Sequence, residues 1–421
     1  MITNNNAAHT TSTTNQKALS PSADTPPADT SSVDGPLVGI ERGKLFKVLR
    51  KHLETLKAIP VHGNRTLHYH QLLIALLLAA YEPTINSLRT LDDASVSQRF
   101  MKELVGPHRL ARSTLSDAMS SMDAQALLPM LRQLLQRVPN LPRRDADLAT
   151  LGRVLAVDGS YFRVPAEVLW ALQSRTSTGK LGREVRLNLQ LDVLQFVPAG
   201  VSISGGDGLS EADAIMAQGL ISDAVYLADR GYVQHDFIRG VLNAQSDLVV
   251  RIKSNTLFDV IDSQPLDEED KQANVLSDTI IIMEAVGERH LRIVEVYDQK
   301  NKKVVRLLTS LMDVPAHIIA KLYRYRWAIE LFFRWLKCVA RVQHLFSESR
   351  NGITLQFYAA VIAVLAGYLV TGVRPGLYEY NMLSGVLRGT TIQEGMLEVL
   401  ARRSRERELE RIRRARKKKL V

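Results

Sequence analysis

Three carboxylates in this sequence stand where a carboxylate is costly unless it is used. Asp158 closes the apolar run Val154-Leu155-Ala156-Val157 and is followed by Gly159-Ser160. Asp229 closes Val225-Tyr226-Leu227-Ala228 and is followed by Arg230-Gly231-Tyr232. An acid at the end of a buried strand carries a desolvation cost unless something pairs with it. Two of them converging would make oxygen ligands for a hard cation. The alternative for either one alone is an aspartate capping a turn. The third acid, Glu330, lies in the segment Tyr323-Arg324-Tyr325-Arg326-Trp327-Ala328-Ile329-Glu330-Leu331-Phe332-Phe333-Arg334-Trp335-Leu336-Lys337. On a helix advancing about 100° per residue from Tyr323, Arg326 falls near about −60°, Glu330 about −20°, Lys337 about −40°, Arg334 about +20° and Arg341 about 0°. One acid therefore shares a narrow stripe with cations and a tyrosine hydroxyl, while Ile329, Phe332, Phe333, Trp335 and Leu336 point away and can pack on a sheet. An ordinary amphipathic helix would use Glu330 for surface pairs with Arg326 and Arg334. That accounts for the pairs but not for a narrow cationic face holding a single acid. A phosphodiester beside metal-bound carboxylates needs such a face, with donors for phosphate oxygens around one ligand.

Asp158, Asp229 and Glu330 resemble the DDE triad of transposases with an RNase H-like catalytic domain. Tyr323, Arg326, Glu330 and Lys337 match the Y-x2-R-x3-E-x6-K signature of the IS4 family of bacterial insertion sequences, and the AVDGS and ADRGY contexts of the two aspartates are similar to that family. The resemblance covers about residues 150–345. It implies a mixed sheet with Asp158 on the first strand, Asp229 after the fourth and Glu330 on the helix after a β-rich insertion. It implies two Mg²⁺, replaceable by Mn²⁺, held by Asp158, Asp229 and Glu330, with Tyr323, Arg326, Lys337 and Arg230 binding DNA. The implied reaction is strand cleavage at terminal inverted repeats, then joining of 3′-ends to target DNA. Related enzymes act as dimers, and some release the element through a DNA hairpin. Two other readings stay open: a catalytically silent, transposase-derived repressor, and an RNase H-like nuclease that cuts without strand transfer.

The elements that must position these residues follow from periodicity. Residues 1–38 are rich in Thr, Ser, Asn, Pro and Asp, so they are expected to be disordered. From 39 to 145 the spacing is helical, with runs at Tyr69–Tyr81, Ser95–Val105, Ser113–Met122 and Ala124–Val138, and this region is expected to bind DNA ends. Within Val96–Met119 the Gly106-Pro107 break and Ser113 as N-cap of a second helix resemble a helix-turn-helix, with Arg112, Thr114 and Ser116 near the bases. Many helical domains contain such a break without touching DNA. Residues 146–350 read as the α/β catalytic domain. Strands are expected at Arg153–Val164, Val185–Val193, Phe196–Ser204, Ala224–Ala228 and Leu248–Lys253, and helices at Glu211–Gln218 and Gln234–Asn243. An inserted antiparallel sheet at about 255–312 comprises Thr279–Ala285, His290–Tyr297 and Lys303–Thr309. One long helix from about Pro315 to Ala340 follows. Residues 351–421 form a C-terminal helical region.

Composition bounds the partners. The chain has 421 residues and a formal charge of +10. Its last 21 residues hold eleven Lys and Arg against three Glu, a net +8. Such a tail meets a polyanion or solubilises a helix end. The single cysteine, Cys338, excludes an intramolecular disulfide. Leu72–Tyr81 and Leu355–Val370 read as buried core helices rather than membrane spans, and no signal-peptide pattern opens the chain. The expected setting is the cytoplasm, on the nucleoid, with double-stranded DNA as partner and no nucleotide cofactor. Gly205-Gly206-Asp207-Gly208 lacks the Gly-Lys-Ser/Thr of a phosphate loop. His62, His68 and His70 lack the cysteines of a zinc site.

Overall fold

The structure is a computed structural model that describes residues 46–60, 63, 65–137, 148, 151–175, 181–338, 344–371 and 377–419. The polar segment 1–38, His62, Arg341 and the side chain of Cys338 lie outside the described residues.

Helices α1 (Arg50–Lys57), α2 (Tyr69–Tyr81), α3 (Leu88–Ser97), α4 (Arg99–Leu104), α5 (Arg112–Ser121) and α6 (Leu128–Arg137) precede the sheet. The run expected as one helix over Ser95–Val105 is broken at Gln98, which is extended. The expected N-cap also moves. Ala111 is the capping residue of α5 and makes no side-chain cap. The Arg112 N–H instead donates to Asp92 Oδ2 on α3 at 3.3 Å, and Arg109 pairs with the same carboxylate at 2.7 and 2.8 Å. A tertiary contact thus does the work assigned to Ser113. Leu115, Ala118 and Met119 of α5 are buried, whereas Arg112, Ser113 and Ser116 are exposed.

The sheet comprises β1 (Arg153–Val164), β2 (Leu172–Arg175), β3 (Leu181–Asp192), β4 (Val197–Ser204) and, after α7 (Glu211–Gln218), β5 (Ala224–Ala228). Helix α8 (His235–Asn243) and β6 (Asp247–Ile252) follow, then β7 (Asp259–Ser263), α9 (Glu268–Gln272), β8 (Val275–Met283), β9 (Gly287–Asp298) and β10 (Lys303–Thr309). Strands β1, β5 and β6 are parallel, β3 runs antiparallel to β1, and β4 pairs with β3. The order β4-β3-β1-β5-β6, with helices on both faces, is the RNase H-like arrangement. Central strands buried on both faces read as continuous apolar runs. Val154 and Ala156 of β1 join one hydrophobic core, and Leu155 and Val157 join the other.

The insertion is not a separate sheet. Strand β10 pairs antiparallel with β6, so the insertion continues the central sheet to ten strands. Without it, β6 would be an edge with unpaired backbone groups. The short β2, β7 and α9 carry too few residues to show a period.

The expected long helix is two helices, α10 (Ala316–Tyr325) and α11 (Trp327–Cys338), joined at Arg326. Hydrogen bonds from Arg326 N to Tyr323 O (3.1 Å) and Ile329 N to Arg326 O (3.2 Å) tighten the junction to i→i+3 spacing, so a wheel of constant pitch does not carry across it. Helix α12 (Arg350–Thr371) is the one described helix long and apolar enough to cross a membrane, and it is buried within the protein. Its Asn351 donates to the carbonyls of Met119 (2.8 Å) and Met122 (2.5 Å) and accepts from Ala124 N (2.9 Å), tying it to the N-terminal helices. Helices α13 (Leu377–Arg388) and α14 (Gln393–Lys419) close the described chain.

The insertion also anchors the helix that carries Glu330. Arg292 on β9 is buried, forms a two-pronged pair with Asp278 on β8, and donates to the carbonyls of Leu311 (2.7 Å), Met312 (3.0 Å) and Val314 (2.7 Å). Those carbonyls belong to the link between β10 and α10. Removing one partner leaves the other charge buried, so Arg292→Ala is expected to lower stability by about 3–5 kcal/mol. Urea unfolding of the two proteins measures this; a change under about 1 kcal/mol would contradict a buried pair.

Candidate active site

Sheet register brings the two aspartates together. Residues Arg153–Ala156 of β1 pair in order with Ala224–Leu227 of β5, and the same offset carried two residues further sets Asp158 opposite Asp229. Asp158 lies midway along β1, two residues past its last pair with β5, and Asp229 directly follows the carboxyl end of β5. Each is oriented by the backbone N–H of the next residue: Gly159 N to Asp158 Oδ1 at 2.8 Å, and Arg230 N to Asp229 Oδ1 at 2.5 Å. By alternation from Ala156 and Leu227, both point to the core that α10 and α11 cover.

The α10–α11 junction supplies the third acid and a cation. Arg326 donates from Nη2 to Glu330 Oε1 at 2.5 Å, and its Nη1 lies 3.8 Å from Asp158 Oδ2. This is the i,i+4 pair of an ordinary helix, yet it is not a surface pair, because the Arg326 side chain is only 11% exposed. Arg334 is exposed and forms no ion pair with Glu330. Burial raises the Tyr323 hydroxyl above its usual range; the negative Asp229 adds to this and Arg326 opposes it. Tyr323, Arg326 and Glu330 therefore share one face with both aspartates despite the tightened turn. Lys337 stands further along, its Nζ 4.8 Å from the ring centroid of Phe162 on β1. Arg230 is exposed in the turn after Asp229.

Two features of this site had no visible sequence signal. Glu211 stands at the first position of α7, where an acid reads as a complement to the helix dipole, yet its charge acts on Asp158. Tyr232 lies three residues after Asp229 and reads as core. Its hydroxyl is buried and has no hydrogen-bond partner among the described residues.

All the acids are hard oxygen donors, the set a Mg²⁺ or Mn²⁺ site uses. Burial, more than anything else, pushes Asp158 up to about 6; Gly159 N–H and Arg326 pull it down, and Glu211 and Glu330 push it up again. Such mutual repulsion is what a divalent cation relieves. The side chains fit that group. They are not closed around it: among the described residues, the three ligand atoms that come within 4.8 Å of one another belong to Asp267, Asp270 and His317, not to the triad. That other group is a clamp. Asp270 is buried and already accepts from His317 N (2.8 Å) and Asp267 N (3.2 Å), holding α9 to the first turn of α10.

The raised Asp158 gives a prediction without metal. Its folded value, about 6, lies above its ordinary 3.8, so the folded chain holds the proton more tightly and ionisation costs stability. The cost grows as pH rises from about 4 to about 6 and reaches at most about 3 kcal/mol. In chelator, Asp158→Asn is expected to melt above wild type at pH 7.5, with the difference vanishing below about pH 4. Equal melting temperatures at both pH values would contradict the burial of this charge.

Sheet order and helical flanks define an RNase H-like α/β protein with acids on and just after its central parallel strands. Residues 149–366 match the family model described as the transposase DDE domain, and the chain belongs to that family. A protein of Sinorhizobium fredii assigned as a transposase is 30% identical over 146 residues, 34% of this chain and 41% of that protein. The protein assigned as transposase of insertion sequence element IS5377 in Geobacillus stearothermophilus is 28% identical over 33% of this chain and 37% of its own length. A counterpart for element IS4SA in Synechocystis is 21% identical over 50% of this chain and 58% of its own length, in keeping with the IS4-type signature. The matched regions thus span less than two thirds of each relative. A solved structure of the piggyBac transposase synaptic complex with hairpin DNA aligns with TM-score 0.42 at 13% identity, covering 87% of this chain and 79% of that one.

Proposed function

We propose that this protein binds the terminal inverted repeats of an insertion sequence, cleaves the DNA at the element boundary and transfers the 3′-ends to target DNA. Asp158, Asp229 and Glu330 would hold two Mg²⁺, or Mn²⁺ in their place. When bound, such ions acidify the attacking water or 3′-hydroxyl and offset charge on the scissile phosphate and the leaving oxygen. The chain's own part is positioning. The two aspartates would present oxygens from the rigid central strands of the sheet, and Glu330 would supply a third from α11. Arg326, Tyr323, Lys337 and Arg230 surround the acids with donors for phosphate oxygens. Arg112, Thr114 and Ser116 on α5, together with the basic tail, supply duplex contacts, and two copies act on the two ends. No covalent intermediate is needed, so no side chain serves as nucleophile.

The observation that carries this reading is the convergence of Asp158 on β1 and Asp229 just after β5, in register across the parallel pair, with Glu330 and a buried Arg326. The test incubates the full chain with DNA carrying the flanking inverted repeats, with Mg²⁺, Mn²⁺ or chelator, and maps strand ends. Metal-dependent nicks at the element boundary, followed by joined products, support it. Binding without cleavage in either metal overturns it in favour of a repressor, and cleavage without joining favours a nuclease.

A further inference from the structure

We propose that Glu211 is a fourth carboxylate of the candidate metal site, acting with Asp158 on a divalent cation. The inference rests on the metal-site reading above and adds a ligand from a different element, the first turn of α7.

The placement is specific. A Cβ built on Gly159 would stand 3.1 Å from Glu211 Oε1 and 2.9 Å from Arg186 Cδ, so the acid reaches over the backbone beside Asp158 where any larger residue would block it. On the other side, the equivalent position at Gly231, two residues past Asp229, is 3.9 Å from Glu211 Oε2. Tyr161 Oη donates to Oε1 at 3.3 Å. One carboxylate therefore lies beside both the β1 residue that follows Asp158 and the turn that follows Asp229.

Among the described residues no ion pair compensates that charge. Arg186 is the nearby cation, but its Nη2 donates to the carbonyls of Leu209 (2.7 Å) and Ser210 (3.0 Å) and its Nε to Asn188 Oδ1 (2.7 Å). It fixes the backbone that presents Glu211 and makes no ion pair with the carboxylate. The cap of α7 is supplied separately by Ser210 and Asp213. Neither capping nor pairing explains where Glu211 points.

A second observation comes from Tyr232. It is 1% exposed, its hydroxyl has no hydrogen-bond partner among the described residues, and the charges bearing most on it are those of Glu211 and Asp158, with Arg186 opposing. A buried hydroxyl without a partner is rare unless a ligand or bound water completes it. A hydrated cation held by the two acids would give it one.

The test measures Mn²⁺ binding to the full chain by electron paramagnetic resonance at pH 7.5, for wild type, Glu211→Gln and Asp158→Asn. Glu211→Gln is expected to weaken Mn²⁺ binding by about tenfold or more, the scale on which groups around a metal site act. The Mn²⁺ concentration for half-maximal cleavage should rise in parallel, with the rate partly restored at high Mn²⁺. If Asp158→Asn loses Mn²⁺ while Glu211→Gln binds as wild type does, the role of Glu211 is overturned and the metal site stands. If both variants bind as wild type does, the metal-site reading fails with it. Should Glu211→Gln not fold, Glu211→Asp keeps the charge but shortens the reach, and an unchanged Mn²⁺ affinity in that variant overturns the proposal.

Discussion

Asp158→Ala is expected to bind terminal-repeat DNA about as well as wild type and to cut it at least about a thousandfold more slowly, because a catalytic metal contributes several kcal/mol of transition-state stabilisation. Asp229→Ala and Glu330→Ala should behave alike, since each removes one side of the same donor set. Binding should survive because it rests on cations, and removing an acid beside a polyanion does not weaken it. The measurement pairs a gel-shift titration with single-turnover cleavage at fixed salt. Wild-type cleavage by Glu330→Ala would remove Glu330 from the site, and with it the link between α11 and the chemistry.

Arg326→Ala is the second large effect. Arg326 is the buried cation between Asp158 and Glu330, and its loss leaves those acids facing each other without a counter-charge. Cleavage should fall on the order of a hundredfold, the consequence of misplacing a reacting group by about 1 Å. Arg326→Lys should restore little, because one ammonium cannot reproduce a planar fork that reaches two carboxylates. Arg324 is the neighbouring control: it is exposed, and Arg324→Ala should cut nearly as fast as wild type. Lys337 rests on Phe162, so Lys337→Ala removes packing as well as a phosphate donor. Comparing these variants on a pre-assembled DNA complex decides the point, and equal rates for Arg326→Ala and Arg324→Ala would return the pair to a structural role.

The two aspartates and Glu330 are legible as candidates without a structure, because each signal is local. An acid closing an apolar run stands out as costly unless it is used, and the 3.6-residue period puts Tyr323, Arg326 and Glu330 on one face of their own element. The buried α12 was legible for the same reason, being apolar all round. What these faces meet depends on how distant elements pack. The register of β1 on β5 sets Asp158 beside Asp229. The tightened turn at Arg326 directs a guanidinium between two acids, where constant pitch had predicted an unbroken helix. Strand β10 joins the insertion to the central sheet, and Asp92 caps a helix it does not belong to. Glu211 shows the limit most plainly: in sequence it is a helix-start acid, and it becomes a neighbour of Asp158 only where the fold lays α7 across Gly159. Periodicity reports which residues share a side of one element. Contacts between distant elements depend on sheet order and packing, which no local spacing encodes.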